Sequence, residues 1–306
     1  MLLRTEKLSK SFNGVYALSN INFEVEAGEV HGLVGENGAG KSTLIKMLTG
    51  VYSIDEGTVF WEDQPVKIPN PSQSRTLGIN VVHQDRTLIP AFDGVENAYL
   101  GREYPHKGMQ VDWKIMWETV EKTRDELGIE LDLSKMAIEL SPPQKTCLEI
   151  IRAMMNDCKL LILDEPTASL TDKESEILFD IIGKLKKKGT SVLYVSHRMD
   201  EIFRLTDRIT VFKNGSMVSC VKTSEVDKDK LVSMMTDEWK GSDIVHNTNF
   251  GKVLLEVQGI RTKDSVMKKG SLKVREKEIL GVLDGWLGVH IVKIVFFRNF
   301  TEWGAE

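Results

Sequence analysis

The chain has 306 residues, of which 41% are hydrophobic and 28% charged, and a net charge of −5. This length asks for one large domain and a smaller piece, and the acidic balance excludes a general attraction to nucleic acid. Cys147, Cys158 and Cys220 form no CxxC pair and are too few for a disulfide framework, so they fit buried packing in a reducing compartment. The opening MLLRTEKLSK lacks the apolar core of a signal peptide. No run approaches the roughly 18 apolar residues of a membrane span, and the late run 291–297 is interrupted by Lys293. A cytosolic chain is expected, unless a partner holds it at a membrane.

In chain order, LLRTEKL (2–8) and NINFEVEAG (20–28) read as strands, and 29–34 as an apolar strand feeding a glycine-rich turn. Residues 41–48 predict a helix stopped at Thr49-Gly50, and TVFWEDQ (58–64) a further strand. A helix follows over 112–127, with Ile115, Met116, Val120 and Leu127 on one face and Gly128 closing it. A second apolar-faced helix covers 147–155, directly after Pro142-Pro143. The continuous apolar run 159–163 predicts a central parallel strand buried on both sides. The next helix carries Ile177, Leu178, Ile181, Ile182 and Leu185 on one face. It starts on a capping box made by Thr171 and Glu174 and ends at Gly189, with Lys186, Lys187 and Lys188 complementing its dipole. Residues 191–195 are again strand-like, and 209–221 predict a hairpin turning at Asn214-Gly215. Strands alternating with helices place the chain in the α/β class with a parallel core, and the N-terminal strands supply an antiparallel sheet.

Residues 237–252 are polar and read as a linker. Beyond them, VLLEVQGI…SLKVREKEILGVLDG repeats the order of LLRTEKL…NINFEVEAGEVHGLVG: strand, strand, a charged turn ending in Glu, then an apolar strand running to glycine. This is the expected beginning of a second copy of the domain.

The chemistry concentrates in two places. Gly35-Glu-Asn-Gly-Ala-Gly40-Lys41-Ser42 matches GxxxxGK[ST] after a predicted strand and at the start of a predicted helix. In that context Asn37, Gly38, Ala39, Gly40, Lys41, Ser42 and Thr43 form a loop and first turn whose N–H groups curl around phosphates. Lys41 would neutralise β/γ charge and Ser42 would offer a hydroxyl to Mg²⁺. The second place is Leu160-Leu-Ile-Leu-Asp164-Glu165, an apolar strand delivering two carboxylates at its C-terminal end. Asp164 would hold Mg²⁺ through water, and Glu165 would polarise the attacking water as a base.

With these motifs in order, and with Gln84 in VVHQD, LSPPQ (140–144) and His197 in VLYVSHRMDEIF, residues 1 to about 236 resemble an ABC-type ATPase. The resemblance implies a P-loop NTPase head with a parallel-sheet core, an antiparallel β subdomain and a helical subdomain over about 90–156. A partial second copy follows over 253–306. It also implies that Gln84 senses Mg²⁺ and meets membrane subunits, that His197 contacts the γ-phosphate, and that Phe12 is a platform for adenine. The wording DEPTASLTDKE and SHRMDEIF is similar to the tandem ATPases of bacterial ribose, galactose and xylose-type importers. Such a protein would bind ATP and Mg²⁺ and sit at the cytoplasmic face of the membrane. It would work beneath membrane-spanning permease subunits, fed by an extracytoplasmic solute-binding protein, and with no nucleic acid partner. A binding remnant with little turnover and a soluble, non-transport ABC ATPase are the alternative readings.

Two departures stand out. In the family a serine hydroxyl and a glycine N–H of an LSGGQ loop reach the γ-phosphate of a facing head; here Ser141 is present, but Pro142 and Pro143 replace the glycines and donate nothing. Losing one hydrogen bond to a charged phosphate costs about 1.5–3 kcal/mol. The tail GVLDGWLGVHIVKIVFFRNFTEWGAE, in turn, carries no second GxxxxGK[ST], which is expected of a truncated or frame-shifted second head.

Overall fold

The computed structural model describes residues 1–83, 87–236, 251–260 and 270–276. Gln84, nearly all of the expected linker and the tail from 277 onward lie outside these residues. Two compact units are present, 1–239 and 240–306.

In the first unit, strands β1 (Leu3–Phe12), β2 (Val15–Ile21), β3 (Glu24–Val25) and β4 (Val30–Gly35) lead into helix α1 (Lys41–Leu48). They are followed by β5 (Glu56–Trp61), β6 (Gln64–Val66), α2 (Pro71–Thr76) and β7 (Ile79–Val82). The middle is mostly helical, with α3 (Gly94–Ala98), a small ribbon of β8 (His106–Lys107) and β9 (Gln110–Val111), α4 (Trp113–Leu127) and α5 (Pro142–Met154). Alternation resumes with β10 (Leu160–Asp164), α6 (Asp172–Lys187), β11 (Ser191–Val195), α7 (Met199–Leu205), β12 (Arg208–Lys213), β13 (Ser216–Lys222) and α8 (Lys228–Met235).

Two sheets result. The antiparallel one runs β2-β1-β5-β6, with β3 also on β1; the other runs β13-β12-β4-β11-β10-β7 and is parallel except for its β13 edge. The strands buried on both faces are largely apolar, as a parallel sheet requires, with His31 the buried polar exception in β4. One face packs Leu33, Ile162 and Leu193 against α1 and the antiparallel sheet through Leu44, Leu48, Leu8 and Phe23. The opposite face packs Leu161, Leu163 and Tyr194 against the helices through Val120, Leu148, Ile151 and Leu178. Burying a Leu or Ile side chain stabilises by about 1.5–3 kcal/mol, so this two-sided core holds the strand ends still.

The helix faces differ from expectation at two residues. Ile115 and Ile177 are exposed, at 46% and 51%, whereas Met116, Val120, Leu127, Leu178, Ile181, Ile182 and Leu185 are buried as read. Trp117 packs on the core instead of Ile115, and on α6 the buried stripe is completed by Ser175 and Phe179. Cys147 and Cys158 are buried, but Cys220 is half-buried and its sulfur accepts a hydrogen bond from Arg208. The Thr171–Glu174 capping box forms, and the β12–β13 turn places Asn214 and Gly215 at φ 47° and 73°, the primed turn that Asn-Gly favours.

β14 (Val253–Ile260) and β15 (Gly270–Arg275) make an antiparallel hairpin in the second unit. Its register places Leu255 opposite Val274, as Leu3 lies opposite Val25 on β1. The likeness extends to an irregularity. Lys7 has φ 50° and donates its N–H to Asn22 Oδ1, and Gly259, at φ 63°, donates its N–H to Ser271 Oγ.

β4 is tied to its neighbours by a buried polar cluster at its start. Glu29 Oε1 lies 3.0 Å from His31 Nδ1, His31 Nε2 lies 2.7 Å from Thr210 Oγ1, and the Val30 N–H donates to Asp207. Burial pushes the Glu29 carboxyl up, but hydrogen bonds from His31 and the Glu26 N–H, with the charge of Arg208, outweigh it and hold the carboxyl below its usual range. A depressed carboxyl stabilises the fold above its unfolded pKa of about 4.3 and loses that contribution as the pH falls through the folded value. Glu29→Gln therefore lowers the urea midpoint at pH 7, and its gap to the parent chain closes as the pH is taken below about 4. A gap that stays constant with pH would show that the Glu29 charge contributes nothing.

Candidate active site

A parallel sheet brings the C-terminal ends of its strands to one edge, and three such ends carry the candidate chemistry. β4 ends at Gly35 and opens into the loop that enters α1 at Lys41. Asn37, Gly38 and Ser42 are exposed, Thr43 is half-buried, and Ala39, Gly40 and Lys41 are buried. Gly40 has φ 104°, and a Cβ there would stand 2.4 Å from Leu18 Cδ2 and 2.9 Å from the Ala17 carbonyl. No other residue fits this turn against β2. The β12–β13 turn also holds the loop: the Gly215 N–H donates to the Ala39 carbonyl, and the Gly215 carbonyl accepts from the Ser19 N–H of β2.

Lys41 Nζ donates to the carbonyls of Gly35, at 2.7 Å, and Glu36, at 3.0 Å, so the ammonium lies inside the loop it would share with a phosphate. Burial pulls its pKa below the usual lysine range, while Glu165 and Asp164 pull it upward. Asp164 closes β10 and is half-buried; burial and the neighbouring Glu165 raise its carboxyl above the usual range, against Lys41 and Lys46. The donor set therefore fits Mg-nucleotide: α1 offers first-turn N–H groups without intrahelical acceptors, Lys41 offers a cation, and Ser42 and Asp164 offer hard oxygens. Among the described residues no cluster of three His, Cys, Asp or Glu could hold a metal by itself. Mg²⁺ commonly needs only one or two carboxylates besides substrate phosphate.

Glu165 follows Asp164 with φ 48°, unusual for a residue with a Cβ, and its N–H donates to the Val195 carbonyl at 2.9 Å. That turn swings the carboxylate off the sheet edge, where its Oε1 lies 3.4 Å from Nδ1 of the exposed His197. Lys41, Asp164, Glu165 and His197 thus lie near one another. Phe12, at 40% exposure, ends β1 on the hairpin whose second strand touches Gly40. Its ring meets Tyr52 edge-on at 5.1 Å. Ser141 lies apart from these residues in the helical layer, at the N-cap of α5. Pro142 and Pro143 occupy the first two helical positions, where the missing N–H groups cost the helix nothing but leave an anion fewer donors.

Tyr52, Gly215 and Glu201 were not legible as site residues. Tyr52 follows a helix stop, Gly215 is recognisable only as half of a hairpin turn, and the buried carboxylate of Glu201 lies among the charges of an otherwise polar RMDE stretch. Their roles arise from contacts across the fold, which local patterns do not encode.

The sequence profile of the ABC transporter family matches residues 18–168. The chain is 39% identical over 300 residues to a galactose/methyl galactoside import ATP-binding protein of Haemophilus influenzae, covering 97% of this chain and 59% of the relative. It is 39% identical over 302 residues to a ribose import ATP-binding protein of Bacillus cereus, covering 97% of this chain and 60% of the relative. The chain thus spans little more than half the length of the curated relatives it matches. Among solved structures, a nucleotide-free ATP-binding cassette from an ABC transporter superposes with a TM-score of 0.69 at 28% identity, covering 78% of this chain and 99% of the other. The ADP conformation of another such cassette gives 0.66 at 28% identity, covering 78% and 95%. Motif order, sheet topology, converging site residues and these likenesses agree: the chain carries an ATP-binding domain of the ABC transporter family.

Proposed function

We propose that this chain is the ATP-hydrolysing, energy-coupling subunit of a bacterial importer for a monosaccharide or a related solute. The observation that carries the reading is the convergence of Lys41, Asp164, Glu165 and His197 at one sheet edge beside a phosphate-binding loop. The printed names of the relatives, import proteins for ribose and galactose, support the solute class. Residues 1–236 form the ATPase head, 237–252 the linker, and 253–306 the start of a second head; the shared register and irregularity of β1 and β14 support that division. Partners would be membrane-spanning permease subunits, an extracytoplasmic solute-binding protein and a second ATPase head. No helix among the described residues is long and apolar enough to cross a membrane, so the permease would hold this chain at the cytoplasmic face.

In this reading the loop N–H groups and Lys41 bind and orient the phosphates, and Phe12 supports adenine. Mg²⁺, held through Ser42, Asp164 and Gln84, would neutralise charge on the β- and γ-phosphates. Glu165 Oε1 accepts the proton of the attacking water, and His197 holds the γ-phosphate side of the site in register with Glu165. Ser141 serves the facing head rather than its own.

Pro142-Pro143 favours a second reading, an ATP-binding chain with little turnover of its own. The full chain binds Mg-ATP tightly and hydrolyses it slowly; robust, cooperative turnover by the purified chain alone would overturn this. Lys41→Ala weakens Mg-ATP binding by at least about tenfold in calorimetric titration, since it removes a charged contact of about 1.5–3 kcal/mol. Glu165→Gln keeps that affinity and lowers turnover by about a hundredfold or more. Pro142→Gly/Pro143→Gly, assayed with the permease subunits, raises turnover about ten- to a hundredfold by restoring a donor to a charged phosphate. No gain would assign the prolines a purely structural part.

A further inference from the structure

One buried carboxylate lies behind the site without touching it. Glu201, in α7, is 4% exposed. Its Oε2 accepts three hydroxyl hydrogen bonds: from Thr167 Oγ1 at 2.8 Å, Tyr194 OH at 2.7 Å and Ser196 Oγ at 3.1 Å. Its Oε1 lies 2.8 Å from Arg198 Nη1, an ion pair without hydrogen-bond geometry. The three donors belong to different parts of the site. Thr167 lies two residues past Glu165 on the loop leaving β10, Tyr194 belongs to β11, and Ser196 immediately precedes His197. Ser196 Oγ also accepts the Arg198 N–H at 3.0 Å, so the residues on both sides of His197 are tied to Glu201 through one hydroxyl. The Tyr194 phenol is held neutral by burial and the Glu201 charge, which keeps it a donor.

We propose that Glu201 is a positioning residue that fixes the Glu165–His197 pair by anchoring the loops that carry them to a single charged oxygen. The inference rests on the reading of Glu165 and His197 given above. Between those loops the structure offers one direct backbone link, from the Glu165 N–H to the Val195 carbonyl. That bond sets the height of the Glu165 backbone, yet leaves the remainder of each loop to pivot about it. Thr167 and Ser196, bound to the same atom, remove that pivot. The anion matters because three hydroxyl donors on one oxygen suit a carboxylate; hydrogen bonds to a charged acceptor are roughly twice as strong as neutral ones. A glutamine has the same shape but lacks the charge and brings an amide N–H₂ into a cluster already rich in donors.

The test uses the full chain and the Glu201→Gln variant, with folding verified by near-ultraviolet circular dichroism. In nucleotide-free protein labelled with ¹⁵N-histidine, the His197 ring signals are identified by their loss in His197→Ala. Glu165→Gln shifts those signals in the parent chain; in the Glu201→Gln background that shift falls to less than about half, because the pair has separated. With Mg-ATP, Glu201→Gln lowers kcat by about tenfold or more and changes nucleotide affinity by less than about twofold, the signature of lost alignment rather than lost binding. An undiminished Glu165→Gln shift, or parental kcat in folded Glu201→Gln, overturns the inference. Absence of turnover in the parent chain, with or without permease, would instead remove the hydrolytic reading and leave the spectroscopic arm to decide on Glu201. If Glu201→Gln does not fold, Thr167→Val and Ser196→Ala, which each detach one loop, take its place in both measurements.

Discussion

The parallel pairing of β4 with β11 and of β11 with β10 is the constraint on which the rest depends. Parallel strands end on the same side, so a loop after β4, a pair of acids after β10 and a histidine after β11 are brought together by pairing alone. Everything else refines positions that the sheet has already brought to one edge. The refinements are of two kinds: backbone contacts that admit no side chain, as at Gly40, and buried hydrogen bonds to a carboxylate, as at Glu29 and Glu201.

Both kinds meet at the phosphate loop. β2 presses Leu18 against Gly40, and the Asn214–Gly215 turn, itself seated on β2 at Ala17 and Ser19, donates to Ala39. The loop is thus shaped by two segments far from it in sequence, one from each sheet. An anion-binding cradle needs N–H groups that are turned away from their own backbone, and such a conformation persists only where surrounding contacts over-determine it. The same logic covers Glu165, whose left-handed backbone is held by the Val195 carbonyl and whose loop is further restrained at Thr167.

Much of this was legible in the sequence, for identifiable reasons. Apolar runs mark β10 and β11, and a mostly apolar one marks β4, because strands buried on both faces have little polar surface to display. Glycines, capping residues and an Asn-Gly turn marked the ends of α1, α6 and the β12–β13 hairpin through local backbone preferences. Lys41, Asp164 and Glu165 could be read because their motifs fall directly after strands. Ile115 and Ile177 fall outside the buried stripe because helical spacing defines it only approximately, and the neighbours Trp117 and Phe179 compete for its edge. Glu201 was beyond reach: an acid in a charged stretch reads as solvated surface, and only the fold shows three hydroxyls converging on it.

The irregularity shared by β1 and β14 bears on how the chain assembles. In each strand a left-handed residue gives its N–H to a side chain further along the chain, Asn22 just before β3 in one case and Ser271 of β15 in the other. Such a bond helps fix which residue faces which, and it closes only a short stretch of chain. The entropy of closing that stretch is small compared with that of joining β4 to β12 across most of the first unit. Each bond therefore pins the register of its own strand through a short-range closure, whereas the β4–β12 pairing rests on a long-range one.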